Sequence, residues 1–346
     1  MSETVRAPVH DNQTRAARSL VAVVVTHNRL DKLKLVLARL LESPAAELQA
    51  VVVIDNVSTD GTGAWLAAQP DPRLVVVTST ENLGGAGGFE TGMRLASERF
   101  DPDWMVVMDD DARPAPGALA AFHASDKTGC DAIAAAVYFP DGRICEMNRP
   151  SRNPFWHGRE FARTLLRGRG GFHIAPEDYR GAGRWVDVSS FVGLFVSRRA
   201  LSLAGYPDGR LFVYGEDGIF TLGLSKAGGR IRFAPGVAFE HDCSTLQSGQ
   251  FRPLWKVYYY HRNLLFLYRM AAGWLFWPAL LVVLPKWLLK LRHHPGERVR
   301  FLRLLGRAVA DGLSGRVHRP HAEVLALAGA AAPSGSGCRG DSAPSG

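Results

Sequence analysis

Four short apolar segments, rich in β-branched residues, recur in the first third of the chain. They span residues 20–25, 51–54, 74–77 and 104–108. Each is continuous rather than alternating, which is typical of strands buried on both faces of a sheet. The segments between them carry apolar residues at helical spacing, for example Leu33, Val36, Leu37, Leu40 and Leu41. This alternation predicts an α/β fold in which helices cover both faces of a parallel sheet.

A polar segment follows each of the four predicted strands. These segments are Thr26–Arg29, Asp55–Thr62, Asn82–Phe89 and Asp109–Asp111. Ligands of open parallel sheets bind where the carboxyl ends of the strands emerge. We therefore expect the four polar segments to meet in one crevice.

Three consecutive aspartates, Asp109, Asp110 and Asp111, end the fourth strand. Three carboxylates repel one another unless a cation or several donors compensate their charge. One aspartate would suit a helix N-cap, and Pro114 would suit a following first turn, but capping explains only part of the cluster. Hard oxygen ligands in a row favour Mg²⁺ or Mn²⁺ holding a phosphate. The cluster predicts a metal–diphosphate site.

The glycine-rich segment Gly84–Gly88 matches neither of the two common nucleotide fingerprints. It contains no GxGxxG and no Lys-Ser/Thr ending, and the first turn, Thr26–Arg29, has no glycine. A dinucleotide site and a P-loop are therefore excluded. A glycine run before a helix either offers bare N–H groups to an anion or sugar, or is a flexible loop with tight turns.

An acidic pair and a histidine complete the candidate chemistry. Glu216 and Asp217 lie between aromatic and apolar residues. The pair is either the acidic first turn of a helix or a site where an apolar wall raises the proton affinity of a general base. His241 alone suggests a structural histidine, although imidazole is also a natural ligand beside carboxylate-bound Mn²⁺.

The composition narrows the possible partners. The chain of 346 residues is 47% hydrophobic and carries a formal charge of +8. A basic chain favours polyanions, here a nucleotide, a diphosphate lipid or an anionic membrane, and nucleic acid is disfavoured because no nucleic-acid-binding motif accompanies the charge. Four cysteines without CxxC spacing suggest a reducing cytosol and no zinc site.

Taken together, the order of these motifs over residues 20–265 resembles the inverting glycosyltransferases of family 2. That resemblance implies a GT-A fold, a Rossmann-like, mostly parallel sheet flanked by helices, with a C-terminal helical membrane-associating region. Asn82–Phe89 and Tyr260–Asn263 look most like the galactofuranosyltransferases that begin a galactan on a polyprenyl-diphosphate oligosaccharide. Rhamnosyltransferases of O-antigen assembly share much of the pattern.

The resemblance also implies a role for each site residue. The UDP-sugar donor would contact Thr26, Arg29, Asp55, Asn82, Gly84, Gly85, Asp109 and Asp110. Mn²⁺ or Mg²⁺ would be held by Asp109, Asp111 and His241. Asp217 would be the catalytic base, and the acceptor would contact Glu216, Trp185 and Phe191. Related acidic motifs often continue with another acid and an arginine, which are absent from Gly218–Gly223 here.

The implied reaction moves a sugar, best matched by galactofuranose from UDP-galactofuranose, onto a polyprenyl-diphosphate-linked saccharide in cell-surface polysaccharide assembly. dTDP-rhamnose is the alternative donor. Two other classes stay open: a sugar nucleotidyltransferase and a non-catalytic membrane-bound scaffold. A nucleotidyltransferase should have a glycine- and arginine-rich loop after its first strand, where this chain has His27-Asn28-Arg29.

The region from residue 255 onward is aromatic, basic and apolar. Residues 270–289 are long enough to span a bilayer, but Pro278, Pro285 and Lys286 interrupt them. Tryptophans spread along this segment and basic residues on both sides favour helices lying on an anionic leaflet. A buried pair of core helices is the alternative. We expect a monotopic or peripheral protein on the cytoplasmic face of the inner membrane, anchored mainly by residues 255–310.

These observations predict five regions. A flexible tail, residues 1–18, has no apolar signal-peptide core. Residues 19–125 would form the nucleotide-sugar half and residues 126–254 the acceptor and catalytic half of one GT-A domain. Residues 255–327 would form the membrane-associating helices, and the Ala/Gly/Ser/Pro-rich residues 328–346 a disordered tail.

Overall fold

The computed structural model describes residues 19–243 and 250–330. Among these residues, one compact unit comprises 19–243 with Met270–Ala272, and a second comprises 250–269 with 273–330. The predicted tail 1–18 and residues 331–346 of the predicted C-terminal tail lie outside the described residues. Ala328, placed in that tail by the sequence, is the last residue of a helix.

A nine-stranded sheet forms the centre of the first unit. Its strands are β1 (Leu20–Thr26), β2 (Ala50–Asp55), β3 (Leu74–Thr78), β4 (Trp104–Asp109), β5 (Ala112–Pro114), β6 (Ala132–Tyr138), β7 (Arg184–Val186), β8 (Leu194–Ser197) and β9 (Ile231–His241). Their order is β3-β2-β1-β4-β8-β6-β9-β5, and β7 also pairs with β9. The four predicted strands, β1 to β4, are parallel. The remainder of the sheet is mixed.

The register of the parallel strands brings their polar ends together. Thr26 of β1 lies opposite Asp55 of β2, and Val25 lies opposite Asp109 of β4. Every residue of β1 is buried, because helices cover both of its faces. The carboxyl ends of these three strands therefore present their polar residues along one edge of the sheet.

Among the described residues, seven α-helices accompany this sheet. They are α1 (Leu30–Leu41), α2 (Thr62–Ala67), α3 (Gly84–Phe100), α4 (Ala118–Ala124), α5 (Gly158–Arg167), α6 (Arg198–Ala204) and α7 (Glu216–Lys226). Pro114 lies in β5 and not in a first helical turn, since α4 begins only at Ala118. Between α5 and α6, the strand β8 begins only at Leu194 and ends at Ser197, directly before α6.

The glycine-rich segment is helical and not a flexible loop. Gly84–Gly88 form the first turns of α3, which lies directly on the sheet. A Cβ at Gly88 would lie 2.4 Å from Val25 Cγ1, and one at Gly92 would lie 2.5 Å from Val23 Cγ1. The glycines therefore allow α3 to approach β1 more closely than any other residue would.

The second unit is helical. Its helices are α8 (Lys256–Ala272, whose last three residues belong to the first unit), α9 (Phe276–Leu288), α10 (Arg298–Ser314) and α11 (His321–Ala328). Arg319 donates to Asp311 from Nε at 2.8 Å and from Nη2 at 3.1 Å, and the Tyr258 hydroxyl donates to Asp311 Oδ2 at 2.7 Å. This buried ion pair ties α8 and α10 to the segment before α11.

One helical stretch of the second unit is a candidate membrane anchor. Lys256–His293 covers 38 residues and is long and apolar enough to cross a membrane, by length and composition alone. Six large apolar side chains on it are exposed, namely Trp274, Trp277, Leu281, Val282, Leu288 and Leu289. By contrast, His261, Arg262 and Asn263 of α8 are fully buried.

Candidate functional site

The loops after β1 and β4 are joined through Asp110. Its Oδ2 accepts hydrogen bonds from Thr26 Oγ1 at 2.8 Å and from the His27 backbone N–H at 3.3 Å. Its Oδ1 accepts from Arg29 Nη1 at 3.2 Å. Burial raises the pKa of Asp110, and the charge of Arg29 opposes that rise. In this arrangement, Asp110 fixes the turn after β1.

The two outer aspartates lie beside His241. Asp109, Asp111 and His241 each offer one ligand atom, and these atoms all lie within 4.8 Å of one another. His241 is brought there by the pairing of β5 with β9, in which it lies opposite Ala112. Its Nε2 is 3.1 Å from Asp111 Oδ1, while Arg29 Nη1 lies 2.5 Å from Asp111 Oδ2. Two carboxylates and an imidazole are donors that suit Mn²⁺ or Mg²⁺.

The two carboxylates of this set differ in their proton affinity. Burial and the neighbouring charge of Asp111 raise the pKa of Asp109 to about 7. Burial also disfavours the charged form of Asp111, but its hydrogen bond with His241 and the charge of Arg29 outweigh that effect and lower its pKa. His241 and Arg29 thus compensate the charge of Asp111, whereas the charged form of Asp109 is disfavoured, and a bound cation would favour it.

Asn148 orients the imidazole of His241. Its Oδ1 lies 2.7 Å from His241 Nδ1, and its Nδ2 donates to Ser190 Oγ at 2.9 Å. When an ion binds Nε2, the neutral imidazole carries its hydrogen on Nδ1 and donates it to this amide, so Asn148 supports the tautomer that metal binding at Nε2 requires. Sequence reasoning missed Asn148, because nothing in the pattern around it indicates contact with a residue 93 positions away.

Two cysteines that are distant in sequence meet on the other side of His241. Cys145, Cys243 and His241 also offer ligand atoms that all lie within 4.8 Å of one another. Cys145 Sγ is 3.9 Å from His241 Nδ1 and donates to Asn148 Oδ1 at 3.0 Å. The sequence spacing gave no sign of this cluster, since the hairpin after β6 and the end of β9 come together only in the fold.

The polar segments after β1, β2 and β3 are in contact, as predicted. His27 Nδ1 lies 2.7 Å from the Asn56 carbonyl oxygen. Asn56 Nδ2 donates to the Gly84 carbonyl at 2.9 Å, and Asn82 Oδ1 accepts from the Gly84 N–H at 2.8 Å. Asp55 is buried beneath them. His27 and Asn56 were not among the predicted site residues.

The start of α7 is locked to the start of α3. The Phe212 carbonyl accepts a hydrogen bond from the Ala86 N–H at 3.0 Å, and a Cβ at Gly84 would lie 2.1 Å from that oxygen. Phe212 and Tyr214 both have positive φ, at 69° and 67°. Such backbone strain persists only where the surroundings enforce it, and it concentrates at functional sites. The strained segment delivers Glu216 and Asp217 beside the glycines of α3.

The acidic pair differs from an ordinary helix start in its electrostatics. Burial raises the pKa of Asp217 to about 6, although its Oδ1 accepts a hydrogen bond from the Gly218 N–H at 2.6 Å. Burial raises the pKa of Glu216 well above its usual range, with further contributions from the charges of Asp217 and Asp109. Among the described residues, Glu216 Oε2 is buried without a hydrogen-bond partner. Glu216 therefore keeps its proton while Asp217 ionises first.

The two aromatic residues predicted to contact an acceptor differ in their exposure to solvent. Phe191 is only 3% exposed and packs with its ring centre 4.9 Å from that of Phe89 and 5.7 Å from that of Phe220. It is a core residue and offers almost no surface to a substrate. Trp185 is partly exposed on β7, with the guanidinium carbon of Arg230 3.8 Å from its ring centre.

The comparison with protein families agrees with this geometry. Residues 21–184 match the family model "Glycosyl transferase family 2". These residues contain strands β1 to β6 and the three aspartates. This part of the chain is a family 2 glycosyltransferase domain with the GT-A fold, and the protein is a glycosyltransferase.

Individual relatives are similar to more of the chain than the family model is. The chain is 28% identical over 235 residues to the galactofuranosyltransferase GlfT1 of Mycolicibacterium smegmatis, covering 67% of this chain and 73% of that one. It is 29% identical over 212 residues to the N-acetylglucosaminyl-diphospho-decaprenol L-rhamnosyltransferase of Mycobacterium tuberculosis, covering 56% and 66%. A solved structure of GalNAc-T7 with UDP, GalNAc and Mn²⁺ shares the fold, with a TM-score of 0.51 at 13% identity, over 72% of this chain and 48% of that chain.

Proposed function

We propose that this protein is an inverting, metal-dependent glycosyltransferase that transfers galactofuranose from UDP-galactofuranose to a lipid-linked saccharide in cell-surface polysaccharide assembly. The main support is the meeting of two groups at one sheet edge. One group is the set Asp109, Asp111 and His241, and the other is the acidic pair Glu216 and Asp217. The charge of Asp109 contributes to the raised pKa of Glu216. The relatives that are named galactofuranosyltransferases support the choice of sugar.

The donor nucleotide would lie over the carboxyl ends of β1, β2 and β4. In this proposal Asp55 binds the base, with Thr26 and Arg29 beside it. Asn82, Gly84 and Gly85 line the path toward the sugar. A Cβ at Gly85 would lie 3.3 Å from Glu216 Oε1, so the absence of a side chain there leaves room between α3 and the acidic pair.

Asp109, Asp111 and His241 would hold Mn²⁺ or Mg²⁺. When bound, the ion neutralises charge that develops on the leaving diphosphate. The protein keeps these ligands ready by two contacts of its own. Asn148 holds the imidazole, and Arg29 holds Asp111 through the 2.5 Å contact of its Nη1.

Asp217 would act as the base. The acceptor hydroxyl loses its proton to the Asp217 carboxylate as its oxygen attacks the anomeric carbon, and the bond to the diphosphate oxygen breaks on the opposite face. The configuration at that carbon is therefore inverted. A base with a pKa of about 6 is ionised at neutral pH and still has appreciable proton affinity. Glu216, which stays protonated, can donate a hydrogen bond to the acceptor.

The acceptor would be a saccharide on a polyprenyl diphosphate, held at the cytoplasmic face of the inner membrane. The exposed apolar side chains on Lys256–His293 and the formal charge of +8 support binding to an anionic leaflet. A lipid-anchored acceptor would then present its sugar end to the crevice.

A donor screen tests the proposal. Purified protein with Mn²⁺ and a lipid-linked saccharide is offered UDP-galactofuranose, dTDP-rhamnose or a UDP-hexopyranose in turn, and the product is identified by mass spectrometry and its anomeric configuration by NMR. We expect the wild type to transfer sugar from UDP-galactofuranose with inversion, and the Asp217→Asn variant to do so about 10²–10⁴-fold more slowly. Product from dTDP-rhamnose alone would replace the sugar by the second candidate, which the rhamnosyltransferase relative supports. Retention of configuration would contradict the mechanism.

A further inference from the structure

The cysteine cluster beside His241 has the geometry of a second metal site. Zinc bonds of about 2.3 Å to sulfur and about 2.0–2.1 Å to nitrogen place a thiolate and an imidazole nitrogen about 3.6 Å apart in a tetrahedral site. Cys145 Sγ and His241 Nδ1 are 3.9 Å apart, and Cys243 completes the set within 4.8 Å. Cys145 is fully buried, while Cys243 is partly exposed and gives an ion access from the surface.

We propose that Cys145, Cys243 and His241 Nδ1 bind Zn²⁺ or another thiophilic divalent ion. Two soft ligands and an imidazole favour such an ion over Mn²⁺ or Mg²⁺. In the metal-free protein Asn148 Oδ1 contacts both Cys145 and His241 and so holds the two side chains close together. Both hydrogen bonds are lost when the ion binds, because the thiol releases its proton and Nδ1 binds the ion through its lone pair.

The consequence for catalysis follows from the tautomer of His241 and rests on the function proposed above. A neutral imidazole that binds zinc through Nδ1 carries its hydrogen on Nε2. Nε2 then donates to Asp111 and no longer offers a lone pair to the ion of the diphosphate site. Zinc bound to Cys145, Cys243 and His241 therefore weakens Mn²⁺ binding, because Mn²⁺ loses the His241 ligand. Asp109 and Asp111 stay in place.

Direct metal binding tests this site without reference to activity. Reduced full-length protein is titrated with Co²⁺ and with Zn²⁺, and the thiolate-to-cobalt charge-transfer absorption and the retained zinc are measured. We expect one equivalent in the wild type, and a loss of affinity of at least about 10²-fold in Cys145→Ser and in Cys243→Ser. Cys130→Ser, which changes a cysteine outside the cluster, is the matched control.

Two results would overturn the proposal. One is the absence of a thiolate band in the reduced wild type, and the other is an equal loss of binding in Cys130→Ser. For the catalytic consequence, zinc should raise the Mn²⁺ concentration for half-maximal turnover, and so inhibit at limiting Mn²⁺, in the wild type and not in Cys145→Ser. Zinc binding without inhibition would leave the site in place and remove only its coupling to the reaction.

In α5, the distribution of polar and apolar side chains is the reverse of that in an ordinary surface helix. Its buried face is polar: Glu160 points inward, with its Oε1 3.3 Å from Arg152 Nη1. Its apolar face points outward, with Leu165 74% exposed and Leu166 85% exposed. Phe161, one turn before Leu165, is also exposed. A helix of a soluble domain normally shows the opposite arrangement.

A stripe of arginines borders this apolar face. Arg159, Arg163 and Arg167 follow one another at a spacing of four residues and are all exposed. Glu160, the single acid of α5, is turned inward, so the outer surface of the helix is purely cationic and apolar. A second copy of the chain packing there by two-fold symmetry would bring like charges together.

We infer that α5 lies on an anionic lipid surface, with Phe161, Leu165 and Leu166 among the acyl chains and the arginines at the phosphates. This is the pattern of an interfacial helix, in which apolar insertion and electrostatic attraction act together. The inference adds a lipid contact in the sheet-containing unit to the anchor proposed for residues 255–310.

Site-specific cross-linking tests the contact in the full chain. A benzophenone amino acid is placed at position 166 or, as a control, at position 35, where Leu35 is 51% exposed on α1. We expect lipid adducts at 166 in vesicles of phosphatidylcholine with phosphatidylglycerol, several-fold fewer in phosphatidylcholine alone, and few at 35. Adducts with a second protein copy, or equal lipid adducts at both positions, would overturn the inference.

Activity provides the second readout, which rests on the proposed function. Leu165→Gln with Leu166→Gln should raise KM for a lipid-linked acceptor in anionic vesicles by several-fold, and leave kcat/KM for a short-chain soluble acceptor unchanged. Leu35→Gln is the matched control. A lipid adduct at 166 together with no transfer from any donor would contradict the proposed function and leave the membrane contact standing.

Discussion

At the scale of single residues, the acidic pair illustrates how adjacent carboxylates acquire different roles. Burial raises the pKa of both Glu216 and Asp217, and the charges of Asp217 and Asp109 raise that of Glu216 further. Asp217 Oδ1 accepts a hydrogen bond from the Gly218 N–H at 2.6 Å, and a hydrogen bond of this kind favours the charged form. One group is therefore a base at neutral pH and the other an acid.

Replacing Asp217 by asparagine should lower turnover by about 10²–10⁴-fold, because the shape is kept and the proton acceptor is lost. Donor binding, measured by calorimetry with UDP-sugar and Mn²⁺, should persist. The melting temperature at pH 7 should hold or rise, since the variant removes a buried charge. Glu216→Gln is the control, and its turnover should fall far less. A larger fall in turnover for Glu216→Gln than for Asp217→Asn would make Glu216 the base.

The pH dependence should report the same group. Because the folded pKa of Asp217 is raised to about 6, the carboxylate is ionised above that pH and becomes protonated below it. We expect kcat at saturating donor, acceptor and Mn²⁺ to be level near pH 7–8 and to fall toward tenfold per unit as the pH drops below about 6. A kcat that stays level down to pH 5 would contradict this assignment.

Asn148 should act on the metal site through His241. Its replacement by alanine frees the imidazole, so we expect the Mn²⁺ concentration for half-maximal activity to rise by about 10–100-fold, with kcat largely retained at saturating metal. Asp111→Ala removes a ligand and should abolish metal-dependent UDP binding at any Mn²⁺ concentration. Full turnover of the wild type in EDTA would contradict the metal role altogether.

At the scale of elements, the contact between α3 and β1 depends on glycine. A Cβ at Gly88 would lie 2.4 Å from Val25 Cγ1, so one of the two elements must move. Gly88→Ala should therefore destabilise the protein by about 1–3 kcal/mol in urea unfolding, despite the better helix propensity of alanine.

Gly223 in α7 is the matched control for this prediction. A Cβ there meets nothing within 4 Å. Gly223→Ala should stabilise the protein by up to about 1 kcal/mol, because only the helix propensity changes. Equal effects of the two substitutions would show that close packing of α3 is not what the glycines provide.

At the scale of the whole molecule, charge and exposed apolar surface together predict where the protein resides. Trp274 and Leu281 are 80% and 78% exposed in the second unit. Replacing both by serine should reduce the membrane-bound fraction of cell extracts several-fold, because interfacial binding scales with inserted apolar area. Leu35→Ser should change nothing. An unaltered membrane fraction in the double variant would show that Trp274 and Leu281 have no role in anchoring.

Local sequence patterns were sufficient to predict the first four strands of the sheet. The continuous apolar runs predicted β1 to β4 to within two residues, because a strand buried on both faces admits few other residue types. The polar segments after these strands predicted that Thr26, Asp55 and the three aspartates lie at one edge, since the carboxyl ends of parallel strands meet there. The resemblance to family 2 glycosyltransferases followed from the order of these segments.

Tertiary structure decided what depends on contacts between distant residues. Gly84–Gly88 lie in a helix that packs closely against Val25, and Phe191 is a core residue because its ring packs on Phe89. Asn148 and Cys145 reached His241 only because the hairpin after β6 folds onto the end of β9. The sequence thus determined the strands, their polar ends and the class of chemistry, whereas packing determined which side chains meet there, because such contacts have no local signature in the chain.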